Sequence, residues 1–82
     1  MTLQAAVTFE YEIGEEVLAR LAGAEPLRLD GPGAWRPPLA AWTIGSIVAL
    51  RSDPAPRYLI AFRCADARWI CWVGEAAIDG VV

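Results

Sequence analysis

Two neighbouring segments alternate as strands do, yet neither offers water a polar side. In RYLIAFR, residues 57–63, Tyr58, Ile60 and Phe62 fall on one side and Leu59 and Ala61 on the other, with Arg57 and Arg63 at the ends. In RWICWV, residues 68–73, Trp69, Cys71 and Val73 share one side and Ile70 and Trp72 the other. Successive side chains of a strand point to opposite faces, so both strands are apolar on both faces. CADA, 64–67, reads as a tight connection, which predicts a hairpin. With a four-residue loop from Ala65 to Arg68, Cys64 faces Trp69, Phe62 faces Cys71 and Ile60 faces Val73. That register gathers Tyr58, Ile60, Phe62, Trp69, Cys71 and Val73 on the expected core face. Leu59, Ala61, Ile70 and Trp72 gather on the other, edged by Arg57 and Arg63. An antiparallel sheet usually turns one polar face to solvent, so this second face needs a cover.

The remaining pattern supplies more strands. Residues 5–11, AAVTFEY, alternate Val7, Phe9 and Tyr11 against Thr8 and Glu10, which predicts a strand. Ile13-Gly14 reads as a turn. For EEVLARLAG, 15–23, local propensity favours a short helix and the neighbouring pattern favours a strand. Residues 24–39 hold four prolines and two glycines. Proline lacks a ladder donor, so this stretch, and 22–41 more broadly, reads as one long loop. WTIGSIVALR, 42–51, reads as a strand, and Gly45 inside it marks a bulge or sharp bend. Residues 52–56 read as a turn. GEAAIDG, 74–80, reads as a short turn, one turn of 3₁₀-helix, before a last short strand. Four or five short strands in an open sheet would leave edges unprotected. The expected fold is therefore all-β, a small five-stranded barrel, in one domain over 1–82.

Composition sharpens the need for a cover. The chain has 82 residues, 56% of them hydrophobic and 21% charged. A chain this short buries roughly 60% of its unfolded surface, so little interior is available for that apolar excess. Association with a second copy is the simplest remedy. The net charge is −3, with seven arginines and no lysine or histidine. That balance argues against a sequence-blind nucleic-acid binder. Lack of histidine removes the commonest metal ligand and general base. Cys64 and Cys71 form no C-x-x-C pair and read as two reduced thiols, with a hairpin disulfide as the alternative. MTLQAAVTFEYE has neither a basic start nor a long apolar run, and no stretch approaches the roughly 20 apolar residues of a membrane span. The cytoplasm is the expected location.

Four motifs in order carry a resemblance: Y-x-I-G-E-x-V (11–17), W-x-x-G-x-I-V (42–48), Y-L-I-x-F (58–62) and W-V-x-E-x-x-I (72–78). This succession resembles the Src-homology-3-like small barrels, the Tudor and KOW-type members above all. It spans roughly residues 9–79, and departs from the pattern in the long first loop, 22–41. The resemblance implies a five-stranded barrel with a 3₁₀ turn after the fourth strand. A narrower similarity, A-A-W-x-x-G-x-I-V (40–48), is to the plasmid-borne type II dihydrofolate reductases, short barrels that work as tetramers around a pore. Where their active-site strand carries glutamine and tyrosine, this chain has Cys71-Trp72-Val73, and their lysine has no counterpart. The activity does not transfer. What the similarity implies is assembly through apolar strand faces and an origin on a bacterial mobile gene cassette.

Three covers suit the second face: another protomer, the chain's own loop through Leu27, Leu29 and Trp35, or a ligand held by aromatics as in Tudor cages, with Trp72, Trp42 and Tyr11 as candidates. The candidate interface or ligand-binding residues are Trp72, Ile70, Leu59, Ala61, Trp42 and Trp35. Catalysis finds little support. Glu15 and Glu16 are adjacent and would point apart on a strand. Gly31-Pro32-Gly33 lacks the lysine and helix of a phosphate loop. Ser46 and Ser52 have no histidine to activate them. Arg51, Arg57, Arg63 and Arg68 gather near one sheet, and arginine with tryptophan suits single-stranded RNA, although a solvated rim is the simpler reading. The expectation is a non-catalytic, self-associating interaction module, dimer or tetramer, without cofactor or metal. The alternatives are an enzyme whose site forms at a subunit interface and a peptide- or RNA-binding Tudor-like module.

Overall fold

The computed structural model describes residues 8–33, 42–52, 55–64 and 66–82. Its strands are β1 (Glu16–Arg20), β2 (Leu27–Arg28), β3 (Trp42–Arg51), β4 (Arg57–Cys64), β5 (Ala67–Gly74) and β6 (Ile78–Val81). One 3₁₀ turn, Glu75–Ala77, joins β5 to β6 where the sequence predicts it. The strands form one antiparallel sheet in the order β2-β5-β4-β3-β1-β6, and the described residues contain no α-helix. The all-β class agrees with the sequence, and a small barrel-like fold is compatible with it. The count does not agree, and the sheet is not closed, because β2 and β6 remain at its two ends. Both ends are short, two and four residues, which limits the unpaired backbone an edge exposes.

The ambiguous segment 15–23 holds a strand, β1, over Glu16–Arg20, followed by a turn. Val17, Ala19 and Leu21 alternate into the core, and β1 pairs with β3 on one side and β6 on the other. Two ladders outweigh the local helix propensity of Glu, Leu and Ala. The predicted strand at 5–11 is not found in its described part. Residues 8–12 join no ladder. The Tyr58 hydroxyl takes their backbone donors instead, accepting from Glu10 N at 3.0 Å and Tyr11 N at 3.3 Å. Phe9 and Tyr11 pack edge-on against the Tyr58 ring, with centroids 5.8 and 5.5 Å away. Residues 5–7 lie outside the described residues.

Strand β3 is the spine. Its first half, 42–46, pairs with β1, and its second half, 46–51, pairs with β4. A strand shared in this way must bend, and Gly45 sits at the changeover. A Cβ there would lie 2.3 Å from Ile60 Cγ2 and 2.8 Å from the Ala61 carbonyl oxygen. Only glycine lets β3 approach β4 so closely. The bulge itself falls three residues later, at Val48, where Ile47 faces Ile60 and Ala49 already faces Leu59.

The β4–β5 hairpin is tighter than predicted. Cys64 faces Ala67, so the loop has two residues, and Phe62 faces Trp69, Ile60 faces Cys71 and Tyr58 faces Val73. Asp66 supplies the left-handed turn residue, at φ 60°. The predicted four-residue loop is thus corrected by a slip of two. A slip of two leaves every side chain on its expected face, because the side-chain period is two. Tyr58, Ile60, Phe62, Trp69, Cys71 and Val73 are all buried, together with Val17, Ala19, Ile47 and Ile78. The described part of the long loop is not wholly irregular. Leu27–Arg28 adds β2 to the β5 edge, and the Asp30 carboxylate accepts from Arg68 N at 3.1 Å. Residues 34–41, with Trp35, lie outside the described residues.

Candidate functional site

The hairpin register places the second apolar face on the side of the sheet away from the core. One cross-strand row runs Ala49–Leu59–Trp72, and the next runs Ser46–Ala61–Ile70–Leu27. Four of the sequence-predicted residues, Trp72, Ile70, Leu59 and Ala61, thus meet on this outer face. Each is partly buried within the single chain. Trp42 shares the face but not the patch. It lies seven residues before Ala49, about 20 Å of extended strand, and faces Arg20 of β1. Trp35 falls outside the described residues.

Arginines ring the patch. Arg51 faces Arg57 at one end and Arg63 faces Arg68 at the other, and all four are exposed. The Arg51 guanidinium carbon sits 4.6 Å from the Trp72 ring centroid, a cation–π contact that covers part of the indole. Among the described residues one ion pair forms, Arg28 with Asp30 at 3.0 Å. None of the four rim arginines therefore has a carboxylate partner there. An open cleft of about 410 Å³ adjoins the Trp72 end, lined by Arg20, Arg57, Trp72, Gly74 and the Ala22–Glu25 turn.

Of the loop residues offered as a cover, Trp35 lies outside the described residues and the other two do not act as one. Leu27 extends the outer face sideways opposite Ile70, and it and Leu29 are 67% and 57% exposed. The aromatic-cage set does not converge either. Tyr11 packs against Tyr58 on the core side, whereas Trp72 points outward. Trp42 is taken up by Arg20, whose guanidinium lies 5.5 Å from its ring centroid and donates to Ala76 O at 2.6 Å. Sequence reading missed a smaller apolar area beside Trp42, formed by Leu18 and the exposed Ile44. The alternation of Trp42, Ile44 and Ser46 was its available signal.

Carboxylates collect on the opposite side, around Tyr11. Its hydroxyl pKa is raised, by desolvation first and then by the charges of Glu10, Glu75, Asp79 and Glu15. Glu75 accepts from the Tyr58 hydroxyl at 2.6 Å and from Glu10 N at 3.0 Å, and these bonds lower its pKa. This pair has a structural role, since it pins residues 9–11 over the core. Burial pushes the Cys71 thiol up to about 11, which suppresses the thiolate a nucleophile needs. Both cysteines are free thiols, and they stand opposite different residues, Cys71 facing Ile60 and Cys64 facing Ala67. No three of His, Cys, Asp or Glu among the described residues are placed to hold a metal. No helix among them is long and apolar enough to cross a membrane.

Compared with known proteins, the chain matches no family model, no curated protein and no solved structure.

Proposed function

We propose that the chain is a non-catalytic interaction module that self-associates through the outer face of β4 and β5. The observation that carries this reading is the patch of Leu59, Ala61, Ile70 and Trp72 inside a ring of four arginines that have no carboxylate partner among the described residues. An apolar centre with a charged rim is the make-up of a protein interface, and Trp and Arg are the residues most often dominant in one. A solvated outer face would carry polar residues at the middle of these two strands, and here the arginines stand only at the ends.

The Src-homology-3-like reading, of the Tudor and KOW kind, supports an interaction role over a catalytic one. It rests on the order of the four motifs and on the 3₁₀ turn between β5 and β6. The dihydrofolate reductase similarity contributes only the idea of assembly through strand faces. The residues that would carry its chemistry are missing.

The test is solution mass by size-exclusion chromatography with light scattering, on wild type and on Leu59→Glu. The wild type is expected above monomer mass and the variant at monomer mass, with its unfolding midpoint close to that of wild type. A wild type that stays monomeric up to millimolar concentration sinks the reading.

A further inference from the structure

The arginine ring limits what can cover the outer face. If two copies met face to face about a two-fold axis, eight guanidiniums would be brought together around a desolvating patch. Like charges opposed in this way disfavour the contact. The occupant must therefore be acidic. Setting the four rim arginines aside, the net charge of −3 becomes −7 for the rest of the chain. A second copy can therefore supply that acid from another surface.

One element of the chain carries the complementary charge around an exposed apolar side chain. Residues Glu12–Glu15 form a largely exposed turn that enters β1. Ile13 at its tip is 61% exposed, an apolar knob among Glu10, Glu12 and Glu15. The turn is held in place by its own hydrogen bonds. Gly14 N donates to Ile47 O at 2.8 Å, Glu15 N to Glu12 O at 3.2 Å, and Glu12 N to the Glu15 carboxylate at 2.8 Å. Little ordering entropy remains to be lost on docking. The turn bonds to Ile47 along the edge of β3 that faces β1, away from β4 and β5, so turn and outer face are separate surfaces.

We propose that the Glu12–Glu15 turn of one copy docks on the outer face of the next. Ile13 sits against Leu59, Ile70 and Trp72, and the carboxylates of Glu10, Glu12 and Glu15 meet Arg51, Arg57, Arg63 and Arg68. This inference rests on the self-association reading and adds its partner and polarity. The contact joins two different surfaces, so each added copy leaves one turn and one face unused. Such a head-to-tail contact closes as a ring or continues as a filament.

Two double variants test it, each on exposed residues. Glu12→Gln/Ile13→Ser removes the turn as a donor and keeps the face. Arg57→Ser/Arg63→Ser removes the face and keeps the turn. Light scattering is read on each alone and on an equimolar mixture, with circular dichroism and thermal unfolding confirming that both fold. Each variant alone is expected to be monomeric, with the association constant lowered at least tenfold. The mixture is expected to form a 1:1 dimer and nothing larger, since one intact turn and one intact face remain. Wild-type assembly should weaken between 50 and 500 mM salt. If the turn variant alone still associates like wild type, the face meets another face. This inference then falls while the self-association reading stands. A mixture that remains monomeric also overturns it, and a monomeric wild type overturns both.

Discussion

Replacing Gly45 by alanine is the severest small change this fold offers. The added Cβ would stand 2.3 Å from Ile60 Cγ2, 2.8 Å from the Ala61 carbonyl oxygen and 3.3 Å from Phe62 Cβ. Ile60 is fully buried and its branched side chain is stiff, so that methyl cannot swing aside. The Ala61 oxygen belongs to backbone at the Ser46–Ala61 ladder position, so it moves only if β3 separates from β4. Overpacking a well-packed core costs about 1–3 kcal/mol, and two immovable neighbours put this case near about 3 kcal/mol. For a domain of this size that lowers Tm by about 12–24 °C. In urea, with a slope of about 1 kcal/mol per molar, the midpoint falls by about 3 M. Thermal unfolding by circular dichroism and urea unfolding by tryptophan fluorescence measure both. A loss below about 0.5 kcal/mol would refute the close approach of β3 and β4 at Gly45, and with it the bend that aims the outer face. Gly74→Ala is the control, since a Cβ there meets nothing within 4 Å.

Other consequences follow from named contacts. Tyr58→Phe keeps the ring and removes the hydroxyl that bridges Glu75, Glu10 N and Tyr11 N. It is expected to cost about 1–2 kcal/mol by urea unfolding. Because those bonds hold the Glu75 pKa below its ordinary 4.5, folding favours the ionised carboxylate. That stabilisation is present at neutral pH and is lost as pH falls below 4.5 and through the lowered value. Wild-type stability should therefore drop more steeply than that of Tyr58→Phe between pH 6 and pH 3, and equal slopes would contradict the link. Cys71, with its thiol pushed up to about 11, should resist thiol-labelling reagents in the native state at pH 8 and react once urea unfolds the chain. Peptide mapping after a timed pulse reads this directly, and rapid native labelling at Cys71 would place it outside the core. Asp66 holds φ 60° in the hairpin turn. Asp66→Val is expected to cost about 1–2 kcal/mol and Asp66→Gly to be neutral or mildly stabilising, and equal losses would point to a side-chain role instead.

Much of this architecture was legible because a period of two is hard to disguise. The faces of β4 and β5 follow from the alternation of Tyr58, Ile60 and Phe62 with Leu59 and Ala61, even though the loop length was misjudged by two residues. Gly45 announced a bend for the same reason that the bend needs it. The strand identity of 16–20 was not legible, because Val17 and Ala19 gain their pairing from β3 and β6, which lie far along the chain. Nor was the fate of Phe9 and Tyr11. Their alternation suits a strand, but a tyrosine hydroxyl some fifty residues away takes the backbone donors of Glu10 and Tyr11. In the candidate site, the patch was readable from its own two strands. The arginine ring was readable only in part, because Arg51 joins it through the β3–β4 register and a bulge. The carboxylates around Tyr11 come from the segment before β1, the 3₁₀ turn and β6 and are scattered in sequence.

The most direct test asks what touches the outer face in solution. A photo-crosslinking residue placed at the exposed rim position Arg68 would be activated in an equal mixture of isotopically heavy and light chains. Mass spectrometry then separates links within one chain from links between copies. The expected result is mixed heavy–light links that join position 68 to residues 10–15 of another copy. Links confined to a single chain, at concentrations where the protein is otherwise saturated, would contradict the assignment of this face to self-association.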